Sequence, residues 1–212
     1  MYFGIFIKSK KGYIKKVGDF MEVLVATNNK FKINEIKSIF NNDTIYTLKD
    51  KKIDKEVEED ADTFIRNAKK KAHEIYNLAN MPVIADDSGL CVTALNGFPG
   101  VMTHRFLGEN ATDKERNEYI INEVSKCDDK SAKVVCELVY YNGEDTIIGE
   151  GILEGNITDT RRGDNGFGFD EIFELLDGRT LAELTPEEKN KKSARFLAAK
   201  DLKEKLEQSG IY

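Results

Sequence analysis

Pro82-Val83-Ile84-Ala85 runs directly into Asp86-Asp87-Ser88-Gly89. The apolar run reads as a buried strand, and two adjacent acids at its end restrict what the surrounding fold can be. Side chains alternate along a strand, so one carboxylate is expected to face a cleft while its neighbour braces the turn. Gly89 is expected to relax the backbone there. Carboxylates held together need a cation or an unequal proton load, and hard oxygen ligands suit Mg²⁺, which brings substrate phosphates with it. The competing reading is a surface turn, because all four residues favour turns.

Two further segments argue for the cleft. Thr27-Asn28-Asn29-Lys30-Phe31-Lys32 follows the strand-like Glu22–Ala26 and precedes an amphipathic run, Ile33–Phe40. A polar turn between a strand and a helix N-terminus seats anions, because unpaired N–H groups and the helix dipole favour negative charge, and Lys32 adds a mobile cation. The glycines and Gly-Lys-Ser/Thr ending of a Walker loop are missing. A plain turn capped by Asn is the alternative. Gly163-Asp164-Asn165-Gly166-Phe167-Gly168-Phe169-Asp170 lets the backbone approach a ligand closely, and its rings offer a face for a base. Asp170 is placed to accept from a base N–H. At least one of the two rings is expected to enter the core instead, as in a glycine-rich hairpin.

Thr185-Pro186-Glu187-Glu188 has the spacing of a capping box with Pro at the first helical position. In one straight helix, six residues at about 100° apiece would put Lys189 and Arg195 about 240° apart, too far round to serve one ligand. The expectation is therefore a short helix ending near Asn190 and a second one N-capped by Ser193, with Arg195 in the cleft. Thr63, Asn67 and Lys71 share one face of a helix predicted over Asp62–Leu78. Thr112-Asp113-Lys114-Glu115 opens another to about Val124. Thr44–Leu48 is a short strand, and Ala132–Tyr141 with Asp145–Leu153 form a hairpin around Asn142-Gly143. Antiparallel strands beside βα units imply a mixed sheet.

The chain has 212 residues, enough for one well-buried core, and no Pro/Ser linker divides residues 21–212. A net charge of −6 speaks against a nucleic-acid polymer as partner, and no apolar stretch approaches the roughly 20 residues of a membrane span. Cys91, Cys127 and Cys136 lack Cys-x-x-Cys spacing, which points to a reducing cytoplasm rather than a disulfide framework or zinc site. His73 and His104 are too few for a histidine metal site. Residues 1–20 stand apart, with five Lys and one Asp giving +4 locally against −10 for the remainder. They read as a β-hairpin turning near Ser9–Gly12 or as a stretch upstream of the true start. Their apolar run precedes the lysines, the reverse of a secretory signal.

Thr-Asn-Asn-x-x-Lys at 27–32, Ile-Ala-Asp-Asp-Ser-Gly-Leu at 84–90, Gly-x-Pro-Gly-Val at 97–101, Gly-Phe-Gly-Phe-Asp at 166–170 and Glu-Glu-Lys-Asn at 187–190 occur in the order seen in the inosine triphosphate pyrophosphatase family. The chain resembles that family from about Met21 to Leu206. The resemblance implies an α/β fold with an elongated, mixed central sheet flanked by helices, and two lobes around a nucleotide cleft. It also implies a homodimer, and Mg²⁺-dependent cleavage of aberrant purine nucleoside triphosphates (ITP, dITP, XTP) between the α and β phosphates. Glu59 and Asp87 would hold Mg²⁺, with Asp87 activating water and Asp86 in reserve. Lys32 and Lys71, with Asn29, Asn67 and Ser88, would bind phosphates, and Glu35 would stand behind them. Phe167 would stack on the base, Asp170 would contact its edge, and Lys189 and Arg195 would complete its pocket, with Gly168, Phe169 and Ala194 beside them. Arg offers donors only, which suit a 6-keto purine and reject adenine. Three positions depart from the family: Ala194 replaces the His of Ser-His-Arg, Phe169 replaces Tyr or Trp, and His104 replaces a small residue. Two alternatives stay open: a triphosphatase for another modified or pyrimidine nucleotide, and a non-catalytic sensor.

Overall fold

The computed structural model describes residues 6–8, 14–16, 20–108 and 110–212. Its strands are β1 (Phe6–Lys8), β2 (Ile14–Lys16), β3 (Glu22–Val25), β4 (Thr44–Thr47), β5 (Val83–Val92), β6 (Ser131–Tyr141), β7 (Thr146–Ile157) and β8 (Phe173–Glu174). Its helices are α1 (Lys30–Ile39), α2 (Phe64–Ala79), α3 (Asp113–Val124), α4 (Pro186–Lys189) and α5 (Ala194–Gln208). The main sheet runs β4-β3-β5-β6-β7-β8. β4, β3 and β5 are parallel, and β5 to β8 are antiparallel, so the sheet is mixed as expected. Among the described residues β1 and β2 pair only with each other, Lys8 opposite Ile14; the turn expected at Ser9–Gly12 lies outside them.

The strand carrying the acids does not end at Ala85. β5 continues through Asp86-Asp87-Ser88-Gly89 and stays in register with β6 from Val83↔Tyr141 to Val92↔Ala132. Local turn preference loses here to a ten-residue ladder that pairs the backbone throughout. Gly89 accordingly makes no turn. A Cβ there would lie 2.4 Å from both Gly100 O and Thr103 Oγ1, so glycine serves the close approach of the segment after Pro99.

Alternation along the strands divides the core. Val23, Val25, Ile84 and Leu138 face α1 and α5, meeting Ile33, Ile36, Ala198 and Leu202. Leu24, Val83, Ala85 and Val139 face α2, meeting Ala68, Ala72 and Ile75. Farther along β5 to β7, Leu90, Val92, Ala132 and Ile157 pack with Ile120, Val124, Ile172 and Phe173 in a third cluster. Burying each large side chain of this kind contributes about 1.5–3 kcal/mol before conformational entropy is counted. The long strands thus pass from one lobe to the other, and Asp86–Ser88 sits where the clusters part.

The C-terminal break falls where the sequence places it. Thr185 and Glu188 form the capping box of α4, and Ser193 Oγ caps α5 by accepting from the Phe196 N–H. Gly151 on β7 lets α5 press close, since a Cβ there would lie 1.9 Å from Ala194 O. That contact delivers Arg195, in the first turn of α5, to the waist of the sheet.

Candidate functional site

Adjacent positions on β5 send Asp86 and Asp87 to opposite faces of the sheet. On the α1/α5 face, Asp86 is buried and its Oδ2 accepts from Arg195 Nε at 3.2 Å and Nη2 at 3.0 Å. Lys32 Nζ lies 3.0 Å from the same oxygen. Arg195 also donates to Glu35 Oε2 at 2.7 Å and to Ser88 Oγ at 2.8 Å. Burial opposes ionisation of Asp86, yet Lys32, Arg195 and Lys71 outweigh it and hold the carboxyl well below its usual range. Arg195 is held well above its own by Asp86 and Glu35, against the same desolvation. Two acids and two cations therefore form a buried cluster in which Asp86 Oδ2 is fully engaged.

On the α2 face the balance is reversed. Asp87 Oδ2 accepts from Asn67 Nδ2 at 2.9 Å and Oδ1 from the Ser88 N–H at 2.8 Å. Desolvation and the Glu59 carboxylate push Asp87 up to about 6, against Asn67 and Lys71. Lys71 ion-pairs with Glu59 and donates to Asp86 O at 2.8 Å. Desolvation opposes its charge, but Asp86 and Glu59 raise its pKa. Helical spacing brings Asn67 and Lys71 together as expected; Thr63 instead stands outside the helix as the α2 N-cap.

The 27–32 turn is a capped helix start. Asn29 Oδ1 accepts from the Phe31 and Lys32 N–H groups, and Thr27 Oγ1 accepts from the Asn29 N–H. Among the described residues the Lys30 N–H keeps no partner. Asn28 and Lys30 are exposed, while Lys32 turns inward. The anion seat is thus narrower than the sequence suggests, because the cap occupies two donors that a phosphate would use.

Behind Asp86 lies a cavity of about 70 Å³, lined among others by Phe167, Gly168, Asp170, Lys189, Ala194 and Arg195. Sequence order scatters these residues and the fold collects them. The glycine segment is a loop, not a hairpin. It is pinned to α3, where Asn117 Nδ2 donates to Gly168 O at 3.0 Å and Asp113 Oδ2 accepts from the Gly168 N–H at 2.9 Å. Phe169 stacks on Phe106 against the third core cluster, and Phe167 lines the cavity. Asp170 accepts from the Phe167 N–H at 2.7 Å and from Lys189. Burial raises the Asp170 pKa against Lys189.

Two expectations shift. Arg195 lines the cavity, but four of its five N–H groups go to Asp86, Glu35 and Ser88, so it keeps one for a ligand. Glu35 comes forward instead. Its Oε1 is buried without a partner at the cavity wall. Nothing in the 30–40 segment separates Glu35 from a solvated helix acid, because its partner Arg195 is distant in sequence. Thr103, His104 and Cys136 also line the cavity; only the position of His104 within a departure from the family pattern marks it. His104 is held down to about 4 by desolvation in the concave wall and by Lys32, although solvent on its open side limits that displacement.

Glu59 and Asp87 fit a divalent cation. They are hard oxygen donors whose mutual repulsion a cation would relieve, and Mg²⁺ commonly binds one or two carboxylates together with phosphates. No group of three or more His, Cys, Asp or Glu suited to a metal occurs among the described residues.

The model of the Ham1 family matches residues 23–205. A dITP/XTP pyrophosphatase of Clostridium tetani is 41% identical over 191 residues, 87% of this chain and 95% of that protein. The structure of the Staphylococcus aureus Ham1 protein superposes with a TM-score of 0.81 at 37% identity, covering 89% of this chain and 99% of that one. A HAM1 protein from Coxiella burnetii gives 0.81 at 34% identity, covering 89% and 100%.

Proposed function

The chain belongs to the Ham1 family, and from that premise we propose that it hydrolyses dITP, XTP and ITP to the monophosphate and pyrophosphate. It is a nucleoside triphosphate pyrophosphohydrolase. The observation that carries the site assignment is the opposite treatment of neighbouring acids: Asp86 is neutralised by Lys32 and Arg195, whereas Asp87 is pushed up to about 6 beside Glu59. Asp86 Oδ2 is taken by Arg195 and Lys32, whereas Asp87 accepts from the neutral donors Asn67 Nδ2 and the Ser88 N–H, so Asp87 is the acid left to act on water.

Glu59 and Asp87 would hold Mg²⁺, which when bound supplies positive charge against the departing pyrophosphate. Asp87 orients and deprotonates the attacking water, its rotamer fixed by Asn67 and the Ser88 N–H. Lys71 and Lys32 bring ammonium groups to the phosphates from either side of β5, and the open Lys30 N–H adds a donor. The base enters the Phe167 cavity. Glu35 Oε1 accepts the N1–H that hypoxanthine and xanthine carry and adenine lacks, and the remaining Arg195 N–H meets the 6-keto oxygen. A mismatched base leaves such groups unpaired at about 1–3 kcal/mol each.

No helix among the described residues is long and apolar enough to cross a membrane. A cytoplasmic, homodimeric enzyme acting on free nucleotides is the setting this reading assumes. The test is product analysis with ITP, XTP, dITP, GTP, ATP and dUTP, with Mg²⁺ and with chelator. Pyrophosphate from the first three, lost on chelation, is expected. Orthophosphate with a diphosphate product, or dUTP as the preferred substrate, overturns it.

A further inference from the structure

Phe31 leaves the first turn of α1 with 52% of its surface exposed, beside a polar turn where an apolar ring gains little. It is not idle. Its ring stacks on Phe167 with centroids 5.4 Å apart and planes 23° from parallel. Lys189 Nζ stands 4.6 Å from the Phe167 centroid. The ammonium is the second contact of that ring. Phe167 and Lys189 line the cavity and Phe31 does not. The order is therefore Phe31 outside, Phe167 next, then the cavity.

Phe167 needs such support. Gly166 and Gly168 on either side of it have φ of +92° and +61°, so the flanking backbone has the freedom of glycine. The loop is fixed to α3 through Gly168 and to Asp170 through the Phe167 N–H, but those bonds hold the main chain and leave the ring to its own rotamers. On the ring itself the contacts are Phe31 and the Lys189 ammonium, and of the two Phe31 is the one outside the cavity.

We propose that Phe31 is a positioning residue for the base: its ring backs Phe167 from outside and holds the inner face toward the cavity, so that a purine stacks as the third layer. This rests on the nucleotide reading above. An aromatic surface already oriented spares the ligand the cost of ordering it, and the gain appears in binding. Phe31 is also the neighbour of Lys32, so one short turn would set both the phosphate cation and the base platform.

The experiment compares Phe31→Ala and Phe31→Tyr with the parent by calorimetric titration of inosine monophosphate and, separately, pyrophosphate, both with Mg²⁺, and by steady-state kinetics with ITP. Half exposure of Phe31 leaves both variants folded, checked by thermal melting. For Phe31→Ala, inosine monophosphate should bind about two- to tenfold more weakly and the ITP KM rise to match, with kcat little changed. Pyrophosphate affinity should stay the same, and Phe31→Tyr should restore the parent values. Equal weakening of both ligands would place the effect in the phosphate turn and overturn the proposal. So would unchanged binding, or tighter binding, the last meaning that Phe31 plugs the position of the base. An inactive parent refutes the functional reading itself; an active parent with an indifferent Phe31→Ala refutes only this inference.

Discussion

The two faces of β5 treat the same functional group in opposite ways. On the α1/α5 face Asp86 and Glu35 meet Lys32 and Arg195, and the acid is held far down. On the α2 face Asp87 stands near Glu59, and in the ladder it lies opposite Glu137, which lies opposite Glu150. Residues in register share a face, so one side of the sheet matches its acids with cations, whereas on the other Lys71 pairs with Glu59 while Asp87 and Glu137 each keep an acidic neighbour. The first arrangement fixes lobes and turns to one another; the second keeps a carboxylate poised for a proton or a cation. Adjacency in sequence separates a neutralised carboxylate from a poised one because a strand alternates.

The sharpest way to break this contrast is Asp87→Asn. It should lower kcat at saturating Mg²⁺ by about 10²–10⁴-fold, with weakened metal affinity adding to the loss. Its effect on stability should run the other way. With chelator present, the variant should be more stable than the parent by about 1 kcal/mol at pH 8, because the amide removes a charge that burial disfavours and that Glu59 and Asp86 repel. Retention of more than about a tenth of the rate would remove Asp87 as the base.

Asp86→Asn tests the other face. Arg195 and Lys32 would then be buried with one carboxylate instead of two, and breaking a buried pair by removing one partner costs about 3–5 kcal/mol. A chemical denaturation midpoint close to that of the parent would show the cluster to be dispensable, and the two faces would no longer differ in kind.

The sequence discloses one face more readily than the other, for physical reasons. Asn67 and Lys71 are legible because four-residue spacing on a helix is local, and Ser193 because a cap is chemistry over three residues. The break between α4 and α5, derived from an angle alone, is also local. Three features were hidden. The continuation of β5 past Ala85 depends on β6, some fifty residues later, overriding four residues with turn chemistry. The engagement of Arg195 with Glu35 and Asp86 is a tertiary event across the whole chain, so a reading by residue type turned its donors toward a base. The stack of Phe31 on Phe167 joins two motifs that the sequence presents separately.

The smallest expected effect sharpens the comparison by asking whether repulsion on the α2 side extends beyond Asp87. Glu137 is pushed up to about 6 by desolvation and by Glu150, against Lys205, with Asp201 adding to the repulsion. Its folded pKa thus exceeds the unfolded value of about 4.3. The protonated form is favoured by folding, so the contribution is most favourable in acid and is lost as pH rises from about 4 through about 6. Glu137→Gln keeps the shape and stays neutral. It should therefore gain on the parent at pH 8 and match it at pH 4. The side chain is partly exposed, so solvent screening reduces the gain to about 0.5–1 kcal/mol, or a melting temperature higher by about 1–3 °C. Thermal melts at both pH values decide it. A gain of equal size at pH 4 would trace to packing rather than charge, and a loss at pH 8 would mean that Lys205 already compensates Glu137, leaving Asp87 as the lone poised acid of its face.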